Sequence, residues 1–457
     1  MNKELWEKVQ AFDFDQPISE YGFSTRLANE NYWTKDFTIT AVLEYKKFMY
    51  LAATSDSMVS PSGVVDEVWH RHLVFTKSYN DFCALLGKTI QHVPSTHNKV
   101  DFEKFRQAKE RTKKLYTTTF GEMPHAVWEC ASMYDNLELP KARWKIRTVM
   151  LIVILIFALL VVPAYQLLRP FYVNLNSSDF LSAFIAIIGV AILGLNAFSQ
   201  YYLKQVVKRF RLDSFVFRLT PSELIYLRSP RLENVITGVV NDMTKAGKIK
   251  ISADKKLVPV EGSTCSSLEE HQVLEMLTTK GPTDFHILHS KLAKKSVFSN
   301  VANCMDAFIK YFNKSKAFAR LYYLNYGVLL LVFMLGLTRL LTGILRDKPV
   351  TNLVFILLGL LLVILFYLAR LSMLVCSSTI PGFYKKILIP TGQQTGNKED
   401  WQYFLMGSAI LLPALVPALR RPETTSSDTS SSSDSSSSGS SCGSSCGSSC
   451  GGCGGGD

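Results

Sequence analysis

Four apolar blocks, each long enough to cross a bilayer, constrain this chain more than any other feature. The hydrocarbon core of a membrane takes about 20 consecutive apolar residues in helical form. The first block runs from about Arg147 to Leu168 (TVMLIVILIFALLVVPAYQLL), the second from Phe180 to about Tyr202, the third from about Leu321 to Leu345 and the fourth from Val350 to about Cys376. They pair as two helical hairpins, joined by Arg169 to Asp179 and by Arg346 to Pro349. Pro163 falls late in the first block, where a membrane helix tolerates it if neighbours satisfy the freed carbonyl. Charged residues make up only 19% of the chain, against roughly 25% in soluble proteins. A purely soluble enzyme is thereby excluded. Met1 to Phe14 is charged and lacks an apolar core, so no cleavable secretory signal is expected.

Lysine and arginine at the span ends set the expected orientation. Lys141, Arg143, Lys145 and Arg147 precede the first span, and Lys204, Lys208, Arg209 and Arg211 follow the second. Lys310, Lys314, Lys316 and Arg320 precede the third, and Arg370, Lys385 and Lys386 mark the exit of the fourth. The hairpin loops hold only Arg169 in one and Arg346 with Lys348 in the other. Both large polar regions are therefore expected in the cytoplasm. The chain reads as a mainly α-helical, four-span protein with an N-terminal helical domain (1–138) and membrane hairpins at 147–203 and 321–376. Between the hairpins lies a central domain (204–320), and after them come a cytoplasmic or interfacial segment (377–421) and a tail (422–457). A fifth apolar stretch, Phe404 to Leu419, is short, carries Pro413 and Pro417 and ends in Arg420-Arg421. It is expected to be re-entrant or interfacial.

Charge separates the two polar regions. Residues 1–146 hold 19 Lys+Arg and 19 Asp+Glu and net zero, whereas residues 204–321 hold 20 and 11, a net of +9. In the central region Thr220-Pro221 reads as a helix start. Arg231 to Ala246 reads as a second helix ended by Gly247. KIKIS and KLVPV, joined by Ala253-Asp254-Lys255, read as a hairpin. Helix, helix, hairpin is the order of a winged-helix unit, and Leu268–Lys280 and Asp284–Asn313 follow as further helices. A groove-reading helix would offer Arg231, Asn234, Asn241 and Lys245, with Lys248, Lys250, Lys255 and Lys256 on the hairpin. The same lysines are explained by a nearby anionic inner leaflet, at about 1 kcal/mol per residue. The lipid surface is thus the expected partner and nucleic acid is disfavoured. A protein partner for the cytoplasmic domains and self-association remain open.

The N-terminal region is read as helices, and Val64 to Gly87 is its most informative stretch. On one helix, Val65, Val68, Trp69, His72, Thr76, Tyr79, Cys83 and Leu86 share a stripe. His70 falls opposite, with Lys77 and Asp81 and beside Asp66 and Glu67, so His70 and His72 cannot chelate one ion. A loop folding back through Gln91-His92-Val93-Pro94 and His97 would bring His92 towards His72 and Cys83, an N/S donor set of the kind zinc accepts. The competing reading makes His72 a neutral core histidine, bonded to Thr76 or a backbone carbonyl. In the tail, Cys442, Cys446, Cys450 and Cys453 are separated by glycine and serine and suit one tetrahedral ion, zinc again. A reduced flexible tail, a redox-sensitive segment or a modification substrate compete with that reading.

Two resemblances accompany these motifs. FSTRLANENYW, EYKKFMYLAA, SPSGVVDEVWHRHLVFTKSY and QHVPSTH, with Asp66, Trp69, His70 and His72 as D-x-x-W-H-x-H, resemble the N-terminal segment of glycine-rich domain-containing proteins. The resemblance covers about the first hundred residues and implies a helical module without a reaction. Residues from about 140 to the end, including Leu219, Pro221, Glu223, Tyr226, Leu227 and Arg228 and the Cys-Gly tail, resemble a bacterial membrane-protein family defined by a domain of unknown function. That likeness implies a bacterial inner-membrane location. No nucleophile–base–acid trio stands out, and the four spans hold no acidic residue to mark an ion path. The sequence therefore points to a non-enzymatic, membrane-anchored binding, scaffold or sensing protein. The alternative is a metal-dependent enzyme centred on His72 and His92.

Overall fold

The computed structural model describes residues 2–93, 99–392 (side chains from 103) and 401–419. The N-terminal part is built from α1 (Lys3–Ala11), α2 (Phe23–Asn31), α3 (Lys35–Thr54), α4 (Gly63–Val74), α5 (Thr76–Leu86), α6 (Lys99–Phe120) and α7 (His125–Trp128). Local chemistry sets the boundaries. Thr34 and Ser62 cap α3 and α4, their hydroxyls accepting from Phe37 N and Val65 N. The stretch read as one helix is two, because Phe75 leaves helical geometry (φ −88°, ψ 62°) between α4 and α5. Val74-Phe75-Thr76 is a run of low helix propensity, and the Phe75 ring gains an edge contact with Phe23, at 5.7 Å. The kink corrects the expected stripe: Thr76 is exposed, and Phe82, fully buried, joins the core.

Four helices have the length and apolarity to cross a membrane: α8 (Ile146–Val173), α9 (Ser177–Lys208), α15 (Lys316–Ile344) and the helix that begins with α16 (Thr351–Leu374). Among them α15 is central, packing against α8, α9 and α16. Gly336 permits its closest approach, since a Cβ there would meet Phe184 of α9 at 2.5 Å and Leu357 of α16 at 2.7 Å. Polar contacts add to this packing. Buried Asn325 of α15 accepts from Tyr367 OH of α16 at 2.9 Å and from Ser199 Oγ of α9 at 3.3 Å, the kind of interhelical bond that substitutes for a missing hydrophobic drive in lipid. Leu151, Leu155, Leu159 and Leu167 of α8 point outward.

The fourth helix does not stop at Cys376. It runs on to Thr391 through two π-helical stretches, Val375–Thr379 and Tyr384–Leu388, which absorb Pro381 and Pro390. At 41 residues it is about 60 Å long, twice the hydrocarbon thickness of about 30 Å. Its far half packs along the central region, burying Cys376, Ile380, Tyr384 and Leu388 and leaving Lys386 and Ile387 exposed. There Tyr384 accepts from Leu219 N at 2.7 Å, donates to Val216 O at 3.0 Å and stacks on Trp401.

The central region contains α10 (Pro221–Arg228), α11 (Leu232–Lys245), the antiparallel pair β1 (Ile249–Ile251) and β2 (Leu257–Pro259), α12 (Leu268–Lys280), α13 (Phe285–Leu292) and α14 (Ser296–Asn313). Lys250 sits opposite Val258. The helix expected over Asp284–Asn313 is thus two, α13 and α14. The apolar stretch 404–419 forms no single helix: the short helices Gln402–Met406 and Leu415–Leu419 pack against α10 and α13 respectively, with Phe404 and Leu415 buried. Asn241, one of the residues considered for base reading, is buried beneath this segment and accepts from Leu412 N at 3.2 Å.

The N-terminal and central parts are not independent domains. α2 packs on α14, Tyr134 stacks on Tyr311 at 4.8 Å, and Lys295 pairs with Glu20 at 2.6 Å. Backbone bonds from Lys316 N to Pro140 O and from Ala142 N to Lys314 O tie together the entries to α8 and α15. Ion pairs cross between the two parts in both directions, Lys295 with Glu20 and, more loosely, Arg218 with Asp36 in one sense, and Lys35 with Glu269 in the other.

Candidate metal centre

The sequence set His72, Cys83 and His92 is not assembled. His72 is fully buried, with Nδ1 2.9 Å from Tyr45 OH and Nε2 3.1 Å from Ser78 Oγ. The rings of Phe14, Tyr79 and Phe23 surround it at 4.5–5.5 Å. Burial pushes its pKa down to about 4, so the imidazole is neutral at pH 7. Both nitrogens are occupied, which leaves no lone pair for an ion. It is a core histidine, and its partners are Tyr45 and Ser78 rather than Thr76. Cys83 lies in the same core, buried beside Tyr79.

His92 reaches a different place. Gly87 takes the left-handed conformation (φ 71°) that ends α5 and turns the chain back. Lys88 then anchors the return by donating to Ser55 O at 2.9 Å and Ala52 O at 3.2 Å. Tyr79 OH accepts from Trp69 Nε1 and donates to Ile90 O, fixing the strand across Trp69. His92 therefore lands edge-on to Trp69, ring centroids 4.6 Å apart. Its Nε2 lies 2.9 Å from Asp66 Oδ1. One helical turn on, His70 Nε2 lies 3.8 Å from Asp66 Oδ2, and its ring is 4.5 Å from that of His92.

Asp66, His70 and His92 thus present one oxygen and two nitrogens within 4.8 Å of one another. Donors around a tetrahedral zinc, at bonds of about 2.0–2.1 Å, stand roughly 3.3 Å apart, so small rotations close the set. His70, with half its side chain in water, has the freedom to make them. Two imidazoles and a carboxylate suit zinc and the neighbouring transition metals, and three protein ligands leave a coordination position open. Asp66 and His92 also line a cleft of about 460 Å³, together with Phe48, Ser60, Trp69 and Phe105.

The i, i+4 pair Asp66 and His70 was visible in the sequence as neighbours on the wet face. What was missed is that His92 joins this face rather than the buried one. Glu44 was missed altogether. Buried at 1% exposure, it accepts from Tyr116 OH (2.8 Å), Trp128 Nε1 (2.7 Å) and Lys47 Nζ (2.7 Å). Those donors satisfy it, and it is a structural centre closed to ligands. His97 and the tail cysteines Cys442, Cys446, Cys450 and Cys453 lie outside the described residues, as does the expected disordered segment 422–457.

The sequence model of the UCP032817-like family matches residues 13–119. This is about a quarter of the chain, and it contains Asp66, His70 and His92. No curated protein and no solved structure matches the chain.

Proposed function

We propose that this is a membrane-anchored binding protein with a sensing role, whose N-terminal module holds a divalent transition metal through Asp66, His70 and His92. The observation that carries the reading is the convergence of His92, from beyond α5, on the Asp66–His70 pair of α4 at the rim of a cleft. Support for sensing comes from continuity: the module docks on the central region, and that region grips the protruding half of the fourth helix through Tyr384. In the same reading the helix–helix–hairpin unit is winged-helix-like and serves protein contact, since its second helix is covered by 401–419. In this reading the polar modules face the cytoplasm of a bacterium, as the charge at the span ends and the resemblance of residues from about 140 onward imply. A metal-dependent enzyme is the second reading, recentred from His72 and His92 onto this site, because two of its three ligands, Asp66 and His92, line a cleft of a size that would admit a small substrate.

The test is zinc titration of the metal-stripped full-length protein in detergent, with the four tail cysteines replaced by serine. About one equivalent per chain is expected, lost in Asp66→Asn and His92→Ala and retained in Cys83→Ser. Uptake that survives both losses, or no uptake at micromolar zinc, overturns the assignment.

A further inference from the structure

At the ends of the spans remote from the soluble modules, a second cavity of about 540 Å³ opens between the two hairpins. Its charged lining is entirely basic: Arg339 from α15, and Arg346 and Lys348 from the turn between α15 and α16. Among the described residues, none of these three is paired with a carboxylate. Asp179 and Asp347 are near in sequence, but Asp179 turns to Asn176 and Ser178.

The two arginines are held in place. Arg339 donates to Tyr172 O and, at 3.0 Å, to Leu175 O, and its guanidinium lies 5.2 Å from the centre of the Phe180 ring. Arg346 donates to Val173 O at 3.3 Å. They cap the carboxyl end of α8, whose dipole supplies about half a negative charge. Three full positive charges are set against it. The amino ends of α9 and α16, which lack side-chain caps, border the same cavity through Ser177 and Thr351; the α16 end adds to the excess, while Asp179 in the first turn of α9 offsets that helix's dipole. Arg346 and Lys348 are exposed at the turn and Arg339 is half-buried, so the mouth of the cavity presents its positive charge to an approaching anion.

We infer that this cavity binds the phosphate of an anionic phospholipid headgroup. Its position favours a lipid over a free ion. Arg339 lies five residues inside the end of α15, about 7.5 Å along the axis, within a helix long and apolar enough to cross a membrane. The remaining wall mixes small polar residues with an apolar side, where Phe180, Leu181 and Leu353 are placed to take the first methylenes of an acyl chain. A phosphate held by guanidinium and ammonium groups, with chains against apolar residues, uses both halves of the cavity. The inference does not depend on which side of the membrane the loops occupy, or on the metal centre.

Native mass spectrometry of the full-length protein in detergent, titrated with dioctanoyl phosphatidylglycerol, tests it. Saturable binding of one lipid is expected, roughly thirtyfold weaker in Arg346→Ala/Lys348→Ala, given the usual contribution of each basic residue to anionic-lipid attraction. Both substituted residues are exposed at the turn, so folding is preserved; retained thermal stability is the control. Equal binding of phosphatidylcholine, or unchanged affinity in the double variant, overturns the proposal. Competition by millimolar inorganic phosphate at the same residues overturns the lipid assignment and makes it a free-anion site.

Discussion

The carboxylate of Glu223 accepts a hydrogen bond from the backbone N–H of Lys35 at 3.0 Å, across 188 positions of sequence. Its other oxygen accepts from Thr220 N at 2.7 Å, completing a capping box at the start of α10. One buried side chain thus closes the amino ends of two helices, α3 in the N-terminal part and α10 in the central part. Burial pushes its pKa up, while the two N–H donors and the Lys35 charge oppose that rise.

Removing this carboxylate should loosen the union of the two parts. Glu223→Ala leaves two partly buried donors without their acceptor, a loss of about 1–3 kcal/mol in all. Faster limited proteolysis around residues 121–145 and a lower melting temperature are expected. Lys295→Ala, which removes a partly exposed ion pair, should cost no more than about 1 kcal/mol. Equal effects from the two variants would show that Glu223 does not join the modules.

His72 and His70 should separate stability from binding. His72→Ala strips a fully buried ring from Tyr45 and Ser78 and opens a cavity, a loss of roughly 2–4 kcal/mol. His70→Ala, on the wet face, should stay within about 0.5 kcal/mol yet abolish zinc uptake. Thermal denaturation alongside zinc titration checks both halves, and a larger stability loss for His70 contradicts the assignment.

Stability should fall with acid in a window set by His72. The unfolded imidazole takes up its proton near pH 6.5, whereas the buried native one resists to about pH 4. Between those values the unfolded state binds more protons, so stability decreases as pH drops, by on the order of 3 kcal/mol in all. Above pH 6.5 the group contributes no slope. Denaturant midpoints from pH 7.5 to 4 in wild type and His72→Gln should diverge only within this window; parallel curves would discount the buried neutral histidine.

Orientation can be read at one cysteine. Cys83, Cys130, Cys304 and Cys376 are buried and stay silent in any topology, whereas Cys265 is exposed. Burial and the charge of Glu270 push its thiol pKa up, so labelling is best run above neutral pH. With the tail cysteines replaced, an impermeant maleimide should miss Cys265 in intact cells and modify it after permeabilisation. Labelling without permeabilisation places the central region outside.

The four spans, the helix start at Thr220-Pro221, the helix end at Gly247 and the short β-pair were legible because each rests on neighbours in sequence: apolar length, a cap, a turn residue. The buried place of His72 was legible for the same reason, since it depends on helical period over less than three turns. The partners of His92 were not. A rigid turn at Gly87 and a lysine reaching back to Ser55 carry that histidine over Trp69 to Asp66, and no local pattern records the direction in which a chain returns. The kink at Phe75, the continuation of the fourth helix through Pro381 and the buried acids Glu44 and Glu223 belong to the same class. Each is stabilised by groups brought together from distant positions, so packing and hydrogen-bond satisfaction in three dimensions decided them.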